Sequence, residues 1–380
     1  MKQVDVLVVG AGPAGSSAAI AAAATGLSVL CIDKKVRCGE PVQCAEYVPA
    51  HVLTETGLTS LVIQPITHMR STVEGADTQR SNFHGYMINR AAFDQALLQQ
   101  ASDLGARTRL DTCLTRLDTK QRIATLKSKE ERFDIRFKIL IAADGPTSRV
   151  AQQLGMPRQR CARSRQISVP LTQSRNVTDT WLSRSWAGGY AWLFPKGKVA
   201  NLGIGMGHTT RHAGLRASLR TLHQQLVEQD IVLPEVLSKT GGPIPVGGVS
   251  SVVHDGNVLF AGDAAGLAHP VTGAGIAPAV LSGRMAGEAA AVAIRQNTDT
   301  PLSEYEQEVH AIFDASWSHA LKQRVNLVKS DSVSLRAGWI GFPEYYSSRT
   351  GAHSLHSAAI DSSSAAAGKV NGLRSENTLL

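Results

Sequence analysis

Hydrophobic and polar positions divide the start of the chain into an apolar run over Val6, Leu7, Val8 and Val9, a glycine-rich turn, a small-residue stretch to Ala24, and a second apolar run from Leu27 to Ile32. Short apolar runs bounded by glycine predict buried strands, and the alanine-rich stretch between them predicts a helix. Further on, Phe93, Leu97, Leu98 and Ala101 recur at helical spacing within residues 89–106 and stop at Gly105, predicting a helix that packs on the sheet. β-type runs follow at 106–119, 122–128 and 133–145, the last ending in an apolar strand at Asp144 and Gly145. Residues 167–207 alternate through "ISVPLT", "TWLSRSW", "YAWLFPKG" and "VANLGIGMG", which predicts an antiparallel sheet unlike the opening unit. Leu215, Leu219, Leu222 and Leu226 share one helical face, and residues 257–266 form another apolar strand before a long small-residue helix. From residue 352 onward the chain is Ser/Ala-rich without periodicity, and a mobile tail is expected there.

The first unit has the chemistry of a dinucleotide site. Gly10 allows a sharp turn, Gly12 lets backbone approach a pyrophosphate, and Gly15 lets helix and strand pack closely. The helix N-terminus then offers free N–H groups to the phosphates. Asp33 ends the second strand 23 residues beyond Gly10, where a carboxylate accepts the hydroxyls of an adenosine ribose and disfavours a 2′-phosphate. Either NAD or FAD satisfies this stretch.

Composition narrows the class without naming the chemistry. The 380 residues are 43% hydrophobic and 18% charged, an ordinary globular balance with enough length for two domains. No apolar stretch reaches the roughly 18–20 residues of a membrane span, and the N-terminus enters a strand at once, so a cytoplasmic protein is expected. Cys31, Cys38, Cys44, Cys113 and Cys161 are an odd set without paired spacing, so neither a disulfide framework nor a metal site is expected. The net charge of +8 suits an anionic partner: a phosphorylated cofactor, an acidic protein or a membrane surface. No nucleic-acid module is visible, and the arginine cluster at 158–165 reads as a solvated loop.

Three segments in order resemble the FAD-dependent oxidoreductases of the p-hydroxybenzoate hydroxylase type: the glycine turn with Asp33, "IAADGPTSR" with Asp144 and Gly145, and "FAGDAAGLAHPVTGAGI" with Gly262 and Asp263. The resemblance implies FAD, with Asp263 on the ribityl hydroxyls, Arg90 as a further contact, and NAD(P)H as reductant. An extended FAD needs an acceptor beyond a second strand, where Asp263 stands, and Gly273 and Gly275 begin a helix whose positive end faces reduced flavin. "GEPVQCAEYVP" and "YAWLFPKG" resemble segments of the geranylgeranyl reductase branch. The implied fold is α/β: a discontinuous Rossmann-like FAD-binding domain (1–80, 89–160 and 250–297), an inserted antiparallel-sheet substrate domain (161–249), a helical C-terminal region (298–350) and the tail (352–380).

Candidate catalytic residues are Cys44 and Glu46 near the flavin, Glu46 as a proton donor; Tyr190 and Trp192, which with Phe194 alternate on a strand and form an aromatic wall; and His269, close behind Asp263, in a proton role. Aromatic residues in a strand also serve as plain core, and Glu46 as plain surface acid. The leading expectation is an NAD(P)H-reduced monooxygenase hydroxylating an aromatic or apolar substrate. One candidate substrate is a tryptophan of an acidic partner protein during quinone-cofactor maturation. The alternatives are a geranylgeranyl-type reductase of prenyl double bonds, with possible peripheral membrane contact, and a non-catalytic escort on the same fold.

Overall fold

The computed structural model describes residues 2–76, 78–207 and 213–329. In its first half the chain forms β1 (Lys2–Val9), α1 (Pro13–Ala23), β2 (Val29–Ile32), β3 (Tyr47–Val48), α2 (Ala50–Thr56), β4 (Val62–Val73), β5 (Gln79–Ile88) and α3 (Arg90–Asp103). There follow β6 (Arg107–Arg109), β7 (Cys113–Asp118), β8 (Ile123–Lys127), β9 (Arg132–Ala142) and α4 (Arg149–Gln153). The second half gives β10 (Cys161–Pro170), β11 (Val177–Leu182), β12 (Tyr190–Lys196), β13 (Val199–Met206) and α5 (Ala213–Glu228). It ends with β14 (Ser238–Thr240), β15 (Pro243–Pro245), β16 (His254–Asp255), β17 (Val258–Phe260), α6 (Ile276–Gln296) and α7 (Thr300–Val328).

The apolar runs build one sheet in the order β16-β17-β9-β1-β2-β6, with β7 and β8 attached at β9. β1 pairs in parallel with both β2 and β9, and β17 pairs in parallel with β9, so the strands that precede the three motif turns run side by side. Their C-terminal ends therefore open on one edge, the position at which doubly wound sheets bind ligands. α1, rich in alanine, packs against α6, where small residues permit close approach. A Cβ on Gly283 would stand 2.1 Å from the Ala14 carbonyl oxygen, and one on Gly287 2.4 Å from that of Ala18.

The second sheet runs β14-β10-β13-β12-β11-β4-β5-β3, with β15 on β10. The alternating segments 167–207 are antiparallel as expected through β10, β13, β12 and β11. One boundary is corrected: residues 47–80, expected in the FAD-binding domain, supply β3, β4 and the start of β5 to the second sheet. The cause is long-range pairing, because β4 lies parallel to β11, with Val177 opposite His68 and Leu182 opposite Val73. Leu215, Leu219, Leu222 and Leu226 of α5 pack on the outer face of this sheet with Leu193, Leu202 and Ile204, while Trp192 and Phe194 point the other way. Of the helical region expected at 298–350, α7 forms Thr300–Val328; residues 330–350 and the expected tail at 352–380 lie outside the described residues. Among the described residues no helix is long and apolar enough to cross a membrane.

The α1–α6 contact leaves no room for a side chain. Replacing Gly283 with Val is expected to lower stability by about 1–3 kcal/mol through overpacking. Gly214→Ala in α5, where an added Cβ meets nothing within 4 Å, should leave it equal or raised. Chemical denaturation of both variants checks this; a Gly283→Val protein as stable as the parent would contradict the packing described.

Candidate active site

A cavity of about 800 Å³ lies between the two sheets and takes its walls from both. Its first end is the glycine turn. Gly10 has φ +106°, and an added Cβ there would stand 2.3 Å from the Ala143 carbonyl oxygen; one on Gly15 would stand 1.7 Å from that of Gly10. Gly12 is different: a Cβ would meet nothing within 4 Å, and the residue lines the cavity at the N-terminus of α1, which no side chain caps. Asp33 accepts the Ala11 N–H at 2.8 Å and the Lys35 N–H at 2.8 Å, which fixes its carboxylate beside the turn. Two thiols brace the turn from behind, Cys38 donating to the Ala11 carbonyl at 3.0 Å and Cys31 to that of Gly10 at 3.7 Å. Burial pushes both thiols up, Cys38 to about 12, so they stay protonated and act as donors.

Carboxylates continue along the cavity wall. Asp144 uses one oxygen to accept the Arg149 N–H at 2.6 Å and the Val150 N–H at 3.3 Å, while Oδ1 is buried with no partner among the described residues. Burial raises its pKa, against the hydrogen bonds that lower it. Gly145 beside it, at φ +83°, lines the same wall. Asp263 follows β17 and Gly262, whose φ is +59°; burial pushes its carboxyl up to about 6, opposed by the charge of Arg90. Gly273 has φ +69°, and Gly275 sits at the uncapped N-terminus of α6, where an added Cβ would come within 3.2 Å of Asp263 Oδ1. A phosphate-sized approach at Gly12, acceptors at Asp33, Asp144 and Asp263, and two bare helix N-termini match the needs of an extended FAD.

The loop before β3 brings Cys44 and Glu46 to the cavity, and the carbonyls of residues 44–46 are all held. Gln166 of β10 donates to the Cys44 carbonyl at 2.9 Å, Asn201 of β13 to that of Ala45 at 3.2 Å, and the Ile88 N–H to that of Glu46 at 2.9 Å. Glu46, at φ +70° and 3% exposed, accepts from Lys196 Nζ at 2.6 Å, Asn201 Nδ2 at 2.9 Å and the Arg90 N–H at 3.0 Å. Its carboxylate is thus an ion-paired tie between the second sheet and the start of α3. Arg90 opens α3 and pairs with Asp94 at 2.7 and 3.1 Å, and the Cys44 sulfur accepts the Glu46 N–H at 3.2 Å. Burial works against its charge, yet Asp94 and Cys44 together raise its pKa above the ordinary value.

Opposite stands the aromatic wall. Tyr190, Trp192 and Phe194 face one way into the cavity, with Tyr190 and Trp192 centroids 5.6 Å apart. Tyr190 donates to the Thr272 carbonyl at 2.6 Å, and Trp192 Nε1 donates to Gln166 Oε1 at 3.1 Å, so one glutamine orients both the indole and the Cys44 loop. Trp192 lies across Gly203, where a Cβ would meet the ring at 2.2 Å. Sequence reasoning missed Gln166, Lys196, Asn201 and Gly203. A signal exists for the glycine alone: "LGIGMG" places Gly203 and Gly205 at period two, opposite the Y-x-W of β12.

His269 is not brought to the site. It is 3% exposed, does not line the cavity, and packs edge-on against Trp317 with centroids 5.2 Å apart. Its Nδ1 accepts the N–H groups of Val271 and Thr272 at 3.2 and 3.3 Å. Burial and the nearby His319 push it down to about 3, so the ring is neutral and acts as an acceptor that shapes the loop before α6. The expectation of a proton role at His269 is corrected on this geometry. Among the described residues no cluster of His, Cys, Asp or Glu could hold a metal ion.

Comparison with known proteins agrees with this geometry. A family model described as an FAD binding domain matches residues 3–319. The chain is 31% identical over 338 residues to digeranylgeranylglycerophospholipid reductase 2 of Methanopyrus kandleri, covering 84% of this chain and 85% of that protein. It is 32% identical over 363 residues to the digeranylgeranylglycerophospholipid reductase of Methanocaldococcus jannaschii, covering 88% and 89%. A geranylgeranyl bacteriochlorophyll reductase-like protein of Thermoplasma acidophilum superposes with a TM-score of 0.81 at 27% identity, over 88% of this chain and 90% of that one. The fold is also shared with p-nitrophenol 4-monooxygenase of Pseudomonas putida, at a TM-score of 0.73 and 16% identity, over 92% and 96%. The chain therefore belongs to the FAD-dependent oxidoreductases that carry this FAD binding domain, on their geranylgeranyl reductase-like branch.

Proposed function

We propose that this flavoprotein reduces carbon–carbon double bonds of prenyl chains. The observation that carries the reading is the Cys44 thiol, which lines the same cavity as Tyr190, Trp192, Phe194, Met69 and Phe83. An isoprenoid offers only apolar surface there, which aromatic side chains bury without requiring a polar partner. The relatives named as reductases support the same reading, whereas the monooxygenase neighbour at 16% identity bears on the fold alone. Reduction is thus better supported than the hydroxylation first expected, and the escort reading is disfavoured by an intact set of acceptors at Asp33, Asp144 and Asp263.

Reduced FAD supplies a hydride when bound, and NAD(P)H is the proposed source of its two electrons. The chain's own residues do the rest. The aromatic wall positions the alkene and excludes water; Cys44 delivers a proton to one alkene carbon as hydride reaches the other, leaving a saturated C–C bond. The resulting thiolate sits beside the Arg90 guanidinium and is reprotonated from solvent. Glu46 acts as a positioning residue in place of the expected proton donor, since three donors already occupy its carboxylate. Asp263 is proposed to accept the ribityl hydroxyls, and Gly12 to admit the pyrophosphate.

Cys44→Ala is expected to slow anaerobic reoxidation of the reduced holoprotein by geranylgeranyl lipid by about 10²-fold or more, with flavin content unchanged. Stopped-flow absorbance measures it; equal rates in variant and parent would remove Cys44 from the proton path. Asp263 carries a pH signature as well. Its folded pKa of about 6 lies above the ordinary 3.8, so its contribution to the stability of the cofactor-free protein is full below pH 3.8 and is lost as pH rises through 6. Asp263→Asn should therefore make the cofactor-free protein as stable as the parent or more so at pH 7, while weakening FAD binding. Thermal unfolding and flavin titration check the two halves, and a variant that keeps full FAD affinity would contradict the assignment.

A further inference from the structure

The aromatic half of the cavity contains one strongly basic group that the reduction does not use. Arg324, in the C-terminal part of α7, lines the cavity with Tyr190 and Val271. Its guanidinium donates to the Pro270 carbonyl at 2.8 Å and to the Gly188 carbonyl at 2.7 Å. Among the described residues it has no carboxylate partner, in contrast to the other buried charges of this wall: Arg90 has Asp94, and Glu46 has Lys196. Burial without a counter-charge pushes Arg324 down to about 10, so it is still protonated at neutral pH.

Two carbonyls satisfy two of the five N–H groups of a guanidinium, leaving three donors and a full positive charge on a residue that lines the cavity. Such a charge is costly to bury until an anion joins it, and a phosphate oxygen pair fits the planar fork of a guanidinium. The two carbonyl bonds also fix the fork rigidly, since Pro270 and Gly188 belong to the loops that edge the cavity, and the Gly188 N–H is itself tied to the Leu327 carbonyl at 2.7 Å. Lys34, Lys35 and Arg149 line the cavity alongside the glycine turn and Asp144, at the cofactor end.

We propose that Arg324 is a subsite for the anionic, phosphate-bearing end of the prenyl substrate, which orients the chain along the aromatic wall. The proposal rests on the double-bond reductase reading, and it makes the substrate a prenyl phosphate or prenyl phospholipid in preference to a free prenyl alcohol.

The test is binding to the FAD-loaded protein, read by perturbation of flavin absorbance, with geranylgeranyl diphosphate and geranylgeraniol as probes sharing one chain. The parent should bind the diphosphate more tightly. Arg324→Met should weaken the diphosphate on the order of tenfold or more and the alcohol little, and Arg324→Lys should retain part of the preference. Equal weakening of both probes would assign Arg324 a purely structural role and overturn the proposal. A parent that binds both probes alike overturns it without any variant. Because these are binding measurements, failure of the reductase reading shows separately, as bound prenyl compounds that do not oxidise the reduced flavin.

Discussion

The buried carboxylate of Glu46 is the tie on which the site's geometry depends. A charge at 3% exposure persists only when paired, and here its partners come from different parts of the fold: Lys196 and Asn201 from the second sheet, and the backbone N–H of Arg90 from the start of α3. Removing one partner of such a pair leaves an uncompensated charge, at a cost of roughly 3–5 kcal/mol for a fully buried pair and less here, where Lys196 is partly exposed. The tie fixes a residue at φ +70°, and with it the two residues before it, so Cys44 is presented to the cavity by backbone whose carbonyls are held from residue 44 to residue 46.

The cavity takes its walls from both sheets. The parallel sheet contributes fixed dipoles and acceptors at its strand ends, which suit phosphate and hydroxyl groups; the second sheet contributes the aromatic face. Gln166 joins the halves, holding the Cys44 carbonyl with its N–H and the Trp192 indole with its carbonyl oxygen. Its burial means that neither bond competes with water, so indole and thiol keep a fixed relation. Arg324 closes the far side from α7, linking the loops on which Tyr190 and the α6 N-terminus depend.

Much of this was legible in the sequence where the chemistry is local. Gly10, Gly15 and Asp33 lie within one strand-turn-helix-strand unit, and the steric demands seen at both glycines are those their spacing predicts. The alternation of Tyr190, Trp192 and Phe194 announced a common face, and the leucines of α5 announced theirs. Residues 47–80 were misassigned because strand membership is decided by partners more than a hundred residues away, as in the pairing of β4 with β11. Gln166 and Asn201 look like the polar positions of any half-exposed strand, and Arg324 like the polar face of an amphipathic helix; only the fold turns them inward. His269 failed in the opposite sense, since proximity in sequence to Asp263 did not put its ring on the cavity wall.

The central claim is that the cavity joins an apolar chain to a two-electron donor and one proton. Its most direct test is mass spectrometry of the lipid product after anaerobic incubation of the reduced holoprotein with a geranylgeranyl phospholipid. The account predicts a gain of two hydrogen atoms for each double bond consumed, with no requirement for oxygen. A lipid returned unchanged under these conditions, together with oxygen incorporation into an aromatic substrate once air is admitted, would contradict it.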